Sequence, residues 1–297
     1  MIRHAAMLAL ACATAEAATP AVEPPTMASV LAASTAADWR EPAPEDTLYL
    51  ELSSGRVVIE LAPAFAPRHV ENIRALARAH YFDGLAILRA QDNYVVQWGD
   101  PAAAVDAQKA KSTGKLPRTL KAEFERASAD APELVRLPDP DSYAREVGYA
   151  GGFPAARDPK AGRTWLAHCY GMVGAGRDNG ADSGGGTELY VVIGHAPRHL
   201  DRNVTLVGRV LQGIELLSTL PRGGEAMGFY GKPEQQVPIA SVRVAADVPE
   251  RERTALEVLR TDSATFRQLV EARRTRREEW FVQPTGHIEL CNVPVPA

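Results

Sequence analysis

The sequence carries no long basic block, and that absence removes one class of partner at the start. Its 33 Lys and Arg are outnumbered by 37 Asp and Glu, for a net charge of -4 over 297 residues. Nucleic acids and anionic membranes select clustered Lys and Arg, so neither is expected to bind. The run Arg273-Arg274-Thr275-Arg276-Arg277 looks basic, but Glu271, Glu278 and Glu279 flank it and make it a solvated helix face. A G-x-S-x-G elbow is missing, which removes the serine-hydrolase reading. The glycine-rich stretch from Gly174 to Gly186 lacks a phosphate-loop lysine and dinucleotide-binding spacing, and it holds too few carboxylates for calcium. It reads as a mobile rim loop. His195 and His199 enclose Pro197, which spoils a helical metal pair, and His168 beside Cys169 has no second ligand pair near it. Neither a metal nor an organic cofactor is implied.

The apolar run from Ala5 to Ala15 is far too short to span a bilayer. Its polar start at Arg3-His4 and the small residues from Ala13 to Ala18 fit a cleaved secretory leader over residues 1–18. The other reading is a disordered or helical tail. A leader places the protein outside the cytoplasm, with the periplasm as the expected compartment. Lipid anchoring at Cys12 is the lesser option, because Leu8-Ala9-Leu10-Ala11 fits that pattern poorly. Residues 19–45 are rich in Ala, Pro, Ser and Thr without a sustained period and read as a tether.

From Asp46 the pattern turns regular. Thr47 to Leu52 alternates, Ser53-Ser54-Gly55 turns, and Arg56 to Leu61 returns as the second half of a hairpin. Val70, Ile73, Leu76, Ala77 and Tyr81 then recur at helical spacing after Pro67. Short strands are expected at 85–90, 94–98, 169–173, 188–193, 205–210 and 239–244, with a second helix at 212–220. Many short strands with two helices argue for an antiparallel barrel or sandwich rather than alternating βα units. No internal repeat is visible.

Two segments depart from this rhythm. Residues 102–165 are long, polar and broken by prolines, and only Lys121-Ala122-Glu123-Phe124 resembles an ordered core contact. Residues 247–297 carry an apolar stripe of Leu256, Leu259, Phe266, Leu269 and Val270, expected to pack on the preceding domain as a helical extension together with Trp280 and Phe281. Loss of a leader would leave Cys169 and Cys291, which could close one disulfide between that domain and the tail in an oxidising space. Two buried free thiols are the alternative.

The run Tyr81-Phe82-Asp83-Gly84, then Leu88-Arg89, then Tyr94-Val95-Val96-Gln97-Trp98-Gly99-Asp100-Pro101 resembles the central signature of cyclophilins. Gly55 to Leu61, Ala66-Pro67, Val70-Glu71-Asn72 and Leu76-Ala77 match upstream. Gly171-Met172, Leu200-Asp201, Gly208-Arg209-Val210 and Gly213 follow in family order. The resemblance covers roughly residues 46–245. It implies a mainly β fold, a closed antiparallel eight-stranded barrel capped by two helices over 46–246. It also implies peptidyl-prolyl cis-trans isomerase activity on proline-containing segments of client proteins, with Arg89 as the catalytic residue. Substrate contacts carried over are Tyr94, Val95, Gln97, Gly174, Ala175, Tyr190, His199 and Leu200.

Such chemistry breaks no bond and so needs no nucleophile or metal. It needs an apolar pocket for the proline ring and a fixed donor near the twisting amide, whose rotation barrier is about 18–20 kcal/mol. Alternation puts Val95 and Gln97 on one strand face. The pocket nonetheless departs from the family pattern. Leu88 stands where a histidine is usual, Tyr94 and Tyr190 replace phenylalanines, and Val95 replaces methionine. The stretch Val173-Gly174-Ala175 stands where the family has an Ala-Asn-Ala backbone shelf for the substrate, His199 stands in place of Trp, and Val204 replaces a histidine. A second hypothesis follows, a catalytically weak peptide-binding chaperone or scaffold on the same fold.

Overall fold

The computed structural model describes residues 25–297; the expected leader, with Cys12, lies outside the described residues. Strands β1 (Thr47–Leu52) and β2 (Gly55–Leu61) form the first hairpin. Leu48, Leu50 and Leu52 face inward with Val57, Ile59 and Leu61, the period-two outcome of their spacing. Helix α1 (Pro67–Arg78) follows, with proline in its first turn and Val70, Ile73, Leu76 and Ala77 buried in the same core. Glu123 caps it: the carboxylate accepts from the backbone N–H of Arg68 (3.2 Å) and His69 (3.0 Å).

Strands β3 (Ala86–Ala90), β4 (Val95–Gly99), β5 (Met172–Ala175), β6 (Leu189–Val192), β7 (Leu206–Gln212) and β8 (Val237–Val244) complete the set. The eight close into an antiparallel barrel in the order β5-β6-β4-β3-β8-β1-β2-β7, with β7 returning to β5. Closure leaves no free edge. Helix α2 (Ile214–Ser218) starts from Gly213, whose φ of 85° is the left-handed conformation that glycine adopts without strain. Leu217 anchors it in the barrel core.

The β3–β4 ladder shifts register between Ile87 and Arg89, so Leu88 is an extra residue in the wall. Simple alternation from the inward Ile87 would send residue 89 inward as well. The bulge turns Arg89 outward while Ala90 resumes the core face.

Beyond the barrel the structure differs from the expectations for three segments. Residues 102–165 are not an irregular insertion. They contribute a five-stranded antiparallel sheet in the order Arg126–Ala127, Arg163–Leu166, Phe153–Asp158, Glu146–Ala150 and Leu134–Arg136. Its strands escaped the alternation test because they are covered on both faces: adjacent Ala155 and Ala156 are both fully buried. Pro132, Pro138 and Pro140 fall between strands, where proline is tolerated.

Residues 25–45 are likewise folded rather than tether-like. The short helix Met27–Ala32, capped by Thr26 Oγ1 accepting from Ser29 N–H, buries Val30 in a second core. Trp39–Arg40 pairs with Val258–Leu259. In the C-terminal segment, helix α3 (Ala264–Thr275) places Phe266, Leu269 and Val270 in that second core, with the Phe266 ring edge-on to Tyr149 at 5.1 Å. The stripe therefore packs chiefly against the added sheet, reaching barrel residues such as Met172 and Leu206 in the same cluster. Trp280, expected in the contact, is 82% exposed.

Two covalent or ionic ties join the layers. Cys169 and Cys291 are bonded, with Cα atoms 5.0 Å apart. Glu60 on β2 sits buried between Arg209 of β7 (3.2 Å) and Arg40 (2.6 Å), and the Arg209 guanidinium lies over the Phe153 ring. Among the described residues no helix is long and apolar enough to cross a membrane.

Candidate active site

The outward faces of β4 and β6 make the floor of a groove of about 760 Å³. Val96 and Trp98 point into the barrel, so Val95 and Gln97 point out, as alternation requires. Across the ladder Val95 faces Val192 and Gln97 faces Tyr190. Val95, Tyr190 and Val192 form a small apolar cluster outside the barrel, packed by Tyr94 and Val204. Of the expected site residues, Arg89, Tyr94, Val95, Gln97, Tyr190 and Leu200 line this groove together.

Arg89 projects over the floor and is held at three points. Its Nε donates to Met227 C=O (2.6 Å), its Nη1 to Gln97 Oε1 (3.1 Å), and its Nη2 to Gln91 Oε1. The rings of Tyr94 and Phe229 each lie 5.5 Å from the guanidinium carbon. Burial lowers the Arg89 pKa, the ordinary cost of taking a cation out of water, but arginine stays charged. No carboxylate among the described residues pairs with it, so the charge remains available to the groove.

Met227 and Phe229 were invisible as site residues in the sequence, because they lie far from the signature. The loop carrying them continues the pairing of β3 where β8 leaves off: Gly223 N–H donates to Ala90 C=O (3.0 Å) and Tyr230 N–H to Leu88 C=O (2.9 Å). The bulge at Leu88 thus serves the loop as well as the arginine. Glu188 was also missed; its Oε2 accepts from Gln97 Nε2 at 3.0 Å. Gln97 therefore stands with its amide oxygen toward a cation and its NH2 toward a carboxylate, an orientation that the reverse placement would spoil.

The other expected contacts fall outside the lining. Ala175 faces the barrel core by alternation. Gly174 lies beneath the ring of Tyr190, which a Cβ at that position would strike. With the Tyr190 ring in this position, residue 174 has no room for a Cβ. Gly176 lines the groove instead. His199 sits exposed at the rim, parallel to the Tyr94 ring at 6.4 Å. The glycine-rich rim is tied down where it meets α1: Asn72 Nδ2 donates to Gly185 C=O (2.7 Å), and Leu120 N–H donates to Gly184 C=O (3.0 Å).

The Tyr190 hydroxyl, buried and with its pKa raised by that burial, donates to His168 Nε2 (2.9 Å). His168 Nδ1 faces Asp201 Oδ1 at 3.0 Å and so carries the proton. Burial lowers the His168 pKa and keeps the ring neutral. Burial pushes Asp201 up, but His168 and Arg198 outweigh it and hold the carboxyl below its usual range. Arg198 continues the chain to Asp141 at 3.1 Å. These polar groups fix the Tyr190 ring from behind. Tyr190→Phe is expected to leave His168 Nε2 unpaired and to cost about 1–2 kcal/mol of stability, measured by guanidinium denaturation. An unchanged midpoint would contradict this hydrogen bond.

Comparisons with known proteins bear on the fold and the family. A family model described as cyclophilin type peptidyl-prolyl cis-trans isomerase/CLD matches residues 47–244. Probable peptidyl-prolyl cis-trans isomerases of Brucella suis and Brucella melitensis are each 26% identical over 188 residues, covering 62% of this chain and 75% of the relative. The crystal structure of cyclophilin AquaCyp293 from Hirschia baltica superposes with a TM-score of 0.67 at 24% identity, covering 87% of this chain and 91% of that one. That likeness reaches past the family segment, so the shared fold includes part of the added layer.

Proposed function

The chain belongs to the cyclophilin-type peptidyl-prolyl cis-trans isomerase family, and from there we propose that it accelerates X-Pro rotation with Arg89 stabilising the twisted amide. The observation that carries this is the guanidinium anchored by Met227, Gln97 and Gln91 beside the apolar floor of Val95 and Tyr190. A proline ring seated on that floor would bring its amide nitrogen beneath the guanidinium. As the bond twists, conjugation is lost and the nitrogen gains lone-pair density. A fixed donor stabilises that state more than the planar one, and the difference lowers the barrier. Because the arginine is already oriented, little reorganisation accompanies the step.

The clients on this reading are exported polypeptides, and the compartment is the periplasm. The leader-like start and the Cys169–Cys291 bond support it, since disulfides persist in oxidising spaces. Cell fractionation checks the compartment.

A second reading, a peptide-binding module with little turnover, draws on the altered shelf. The N–H groups of Ala175 and Gly176 are taken by the carbonyls of Thr205 (2.9 Å) and Glu188 (2.8 Å). NMR exchange on an Ala-Pro peptide separates the two. Substoichiometric protein is expected to accelerate cis-trans exchange; peptide-induced shifts without acceleration would favour the binding module.

A further inference from the structure

Glu188 lies on the groove wall two residues along β6's chain path from Tyr190, a step of about 7 Å in an extended strand. One carboxylate oxygen, Oε2, accepts from Gln97. The other has no hydrogen-bond partner among the described residues, and no cation pairs with the group. Asp178 in the rim loop and Asp100 just past β4 both disfavour its ionised form. Arg118 and Arg177 also line the groove, but their guanidinium groups are turned to backbone carbonyls, Arg177 Nε to Asn203 C=O at 2.8 Å and Arg118 to Lys111 C=O. Tyr81 also lies within the field of Glu188. A half-buried carboxylate with one oxygen unpaired, no cation bonded to it and a peptide groove in front of it is an unfilled half of an ion pair.

We infer that Glu188 selects client segments carrying a lysine or arginine within one to three residues of the proline. This rests on the groove being the peptide site. The cationic side chain would reach the free oxygen of Glu188 while the proline occupies the Val95–Tyr190 floor. Arg89 stays on the far side of Gln97, so the two partners of the Gln97 amide carry opposite charges. An acidic client residue in the same place would meet Glu188 and Asp178 together and be rejected.

Burial raises the Glu188 pKa; the Gln97 hydrogen bond opposes this, and Asp178 and Asp100 add to it. As pH falls through that raised value the carboxylate takes a proton and the charge is lost. The preference for lysine therefore fades on acidification, at a higher pH than an ordinary exposed glutamate would show.

The test uses the full chain and a set of proline peptides in which lysine, alanine or glutamate is placed at each of the three positions on either side of proline. Exchange rates and peptide affinities are both read by NMR. At one or more positions lysine is expected to exceed glutamate roughly fivefold in the wild type, the size of an ion pair at the limit of solvent exposure. In Glu188→Gln that ratio is expected to fall to near one, while glutamine keeps an acceptor for Gln97. A wild-type ratio near one at every position, or an equal ratio in the variant, overturns the inference. Should no peptide be isomerised, the affinity ratios still decide on Glu188, so failure of catalysis and failure of selectivity are distinguishable.

Discussion

Arg89→Ala is expected to reduce kcat/KM on an Ala-Pro peptide by on the order of 10²-fold, the usual effect of removing one preorganised donor from a developing charge. The side chain is half-buried at the groove surface, so its loss leaves the barrel core untouched. Gln91 and Gln97 would lose a partner, but both are only part-buried and can turn to water. The fall should therefore appear in the rate and not in the denaturation midpoint. Arg89→Lys is expected to recover little. An ammonium is a point charge and cannot span Met227, Gln97 and Gln91 as the planar guanidinium does. NMR exchange on the wild type and both variants measures this, and an unchanged rate in Arg89→Ala would remove the residue from the mechanism.

The second large effect concerns stability. The Cys169–Cys291 bond closes a loop with a sequence separation of 122 residues. Cross-linking so long a loop restricts the unfolded chain strongly, and its removal is expected to cost roughly 3–5 kcal/mol. The bond also holds the segment bearing Ile288, Leu290 and Val293, all buried in the second core. That segment has other anchors, among them Ile288 N–H donating to Asp139 at 2.7 Å. Cys291→Ser and reduction of the wild type should lower the guanidinium midpoint by similar amounts, while added reductant leaves the variant unchanged. Intact mass after alkylation reports the thiols directly; two alkylated cysteines without reductant would mean that the staple is not formed.

The barrel was legible because its strands alternate one-sidedly. Leu48, Leu50 and Leu52 against Val57, Ile59 and Leu61 announce both a strand and its buried face. The added sheet hid for the opposite reason. Ala155-Ala156 with Arg157 and Pro154 reads as irregular until a covering is supplied on both sides. Residues 25–45 hid because Met27, Val30, Leu31 and Trp39 are scattered without a sustained period through a stretch rich in Ala, Pro, Ser and Thr, and only the partner surface makes them a pattern. In the site, Arg89, Val95 and Gln97 sit within one local motif, whereas Glu188, Met227 and Phe229 arrive through long-range pairing. Gly174 shows a finer limit. Its alteration looked like loss of a binding shelf, and only the position of the Tyr190 ring reveals it as a steric partner.

The extra residue at Leu88 has a consequence for how this site can change over time. A wall built on strict alternation has a reading frame, and Leu88 is a one-residue insertion within it. Deleting Leu88 would restore strict alternation and leave Arg89 outward, one step from the inward Ile87, but it would remove the bulge and the Leu88 C=O that accepts from Tyr230 N–H, so the loop bearing Met227 and Phe229 would lose a tie to the wall. Point substitution cannot reach that outcome. Strand length at β3 is accordingly as much a determinant of the site as the identity of residue 89.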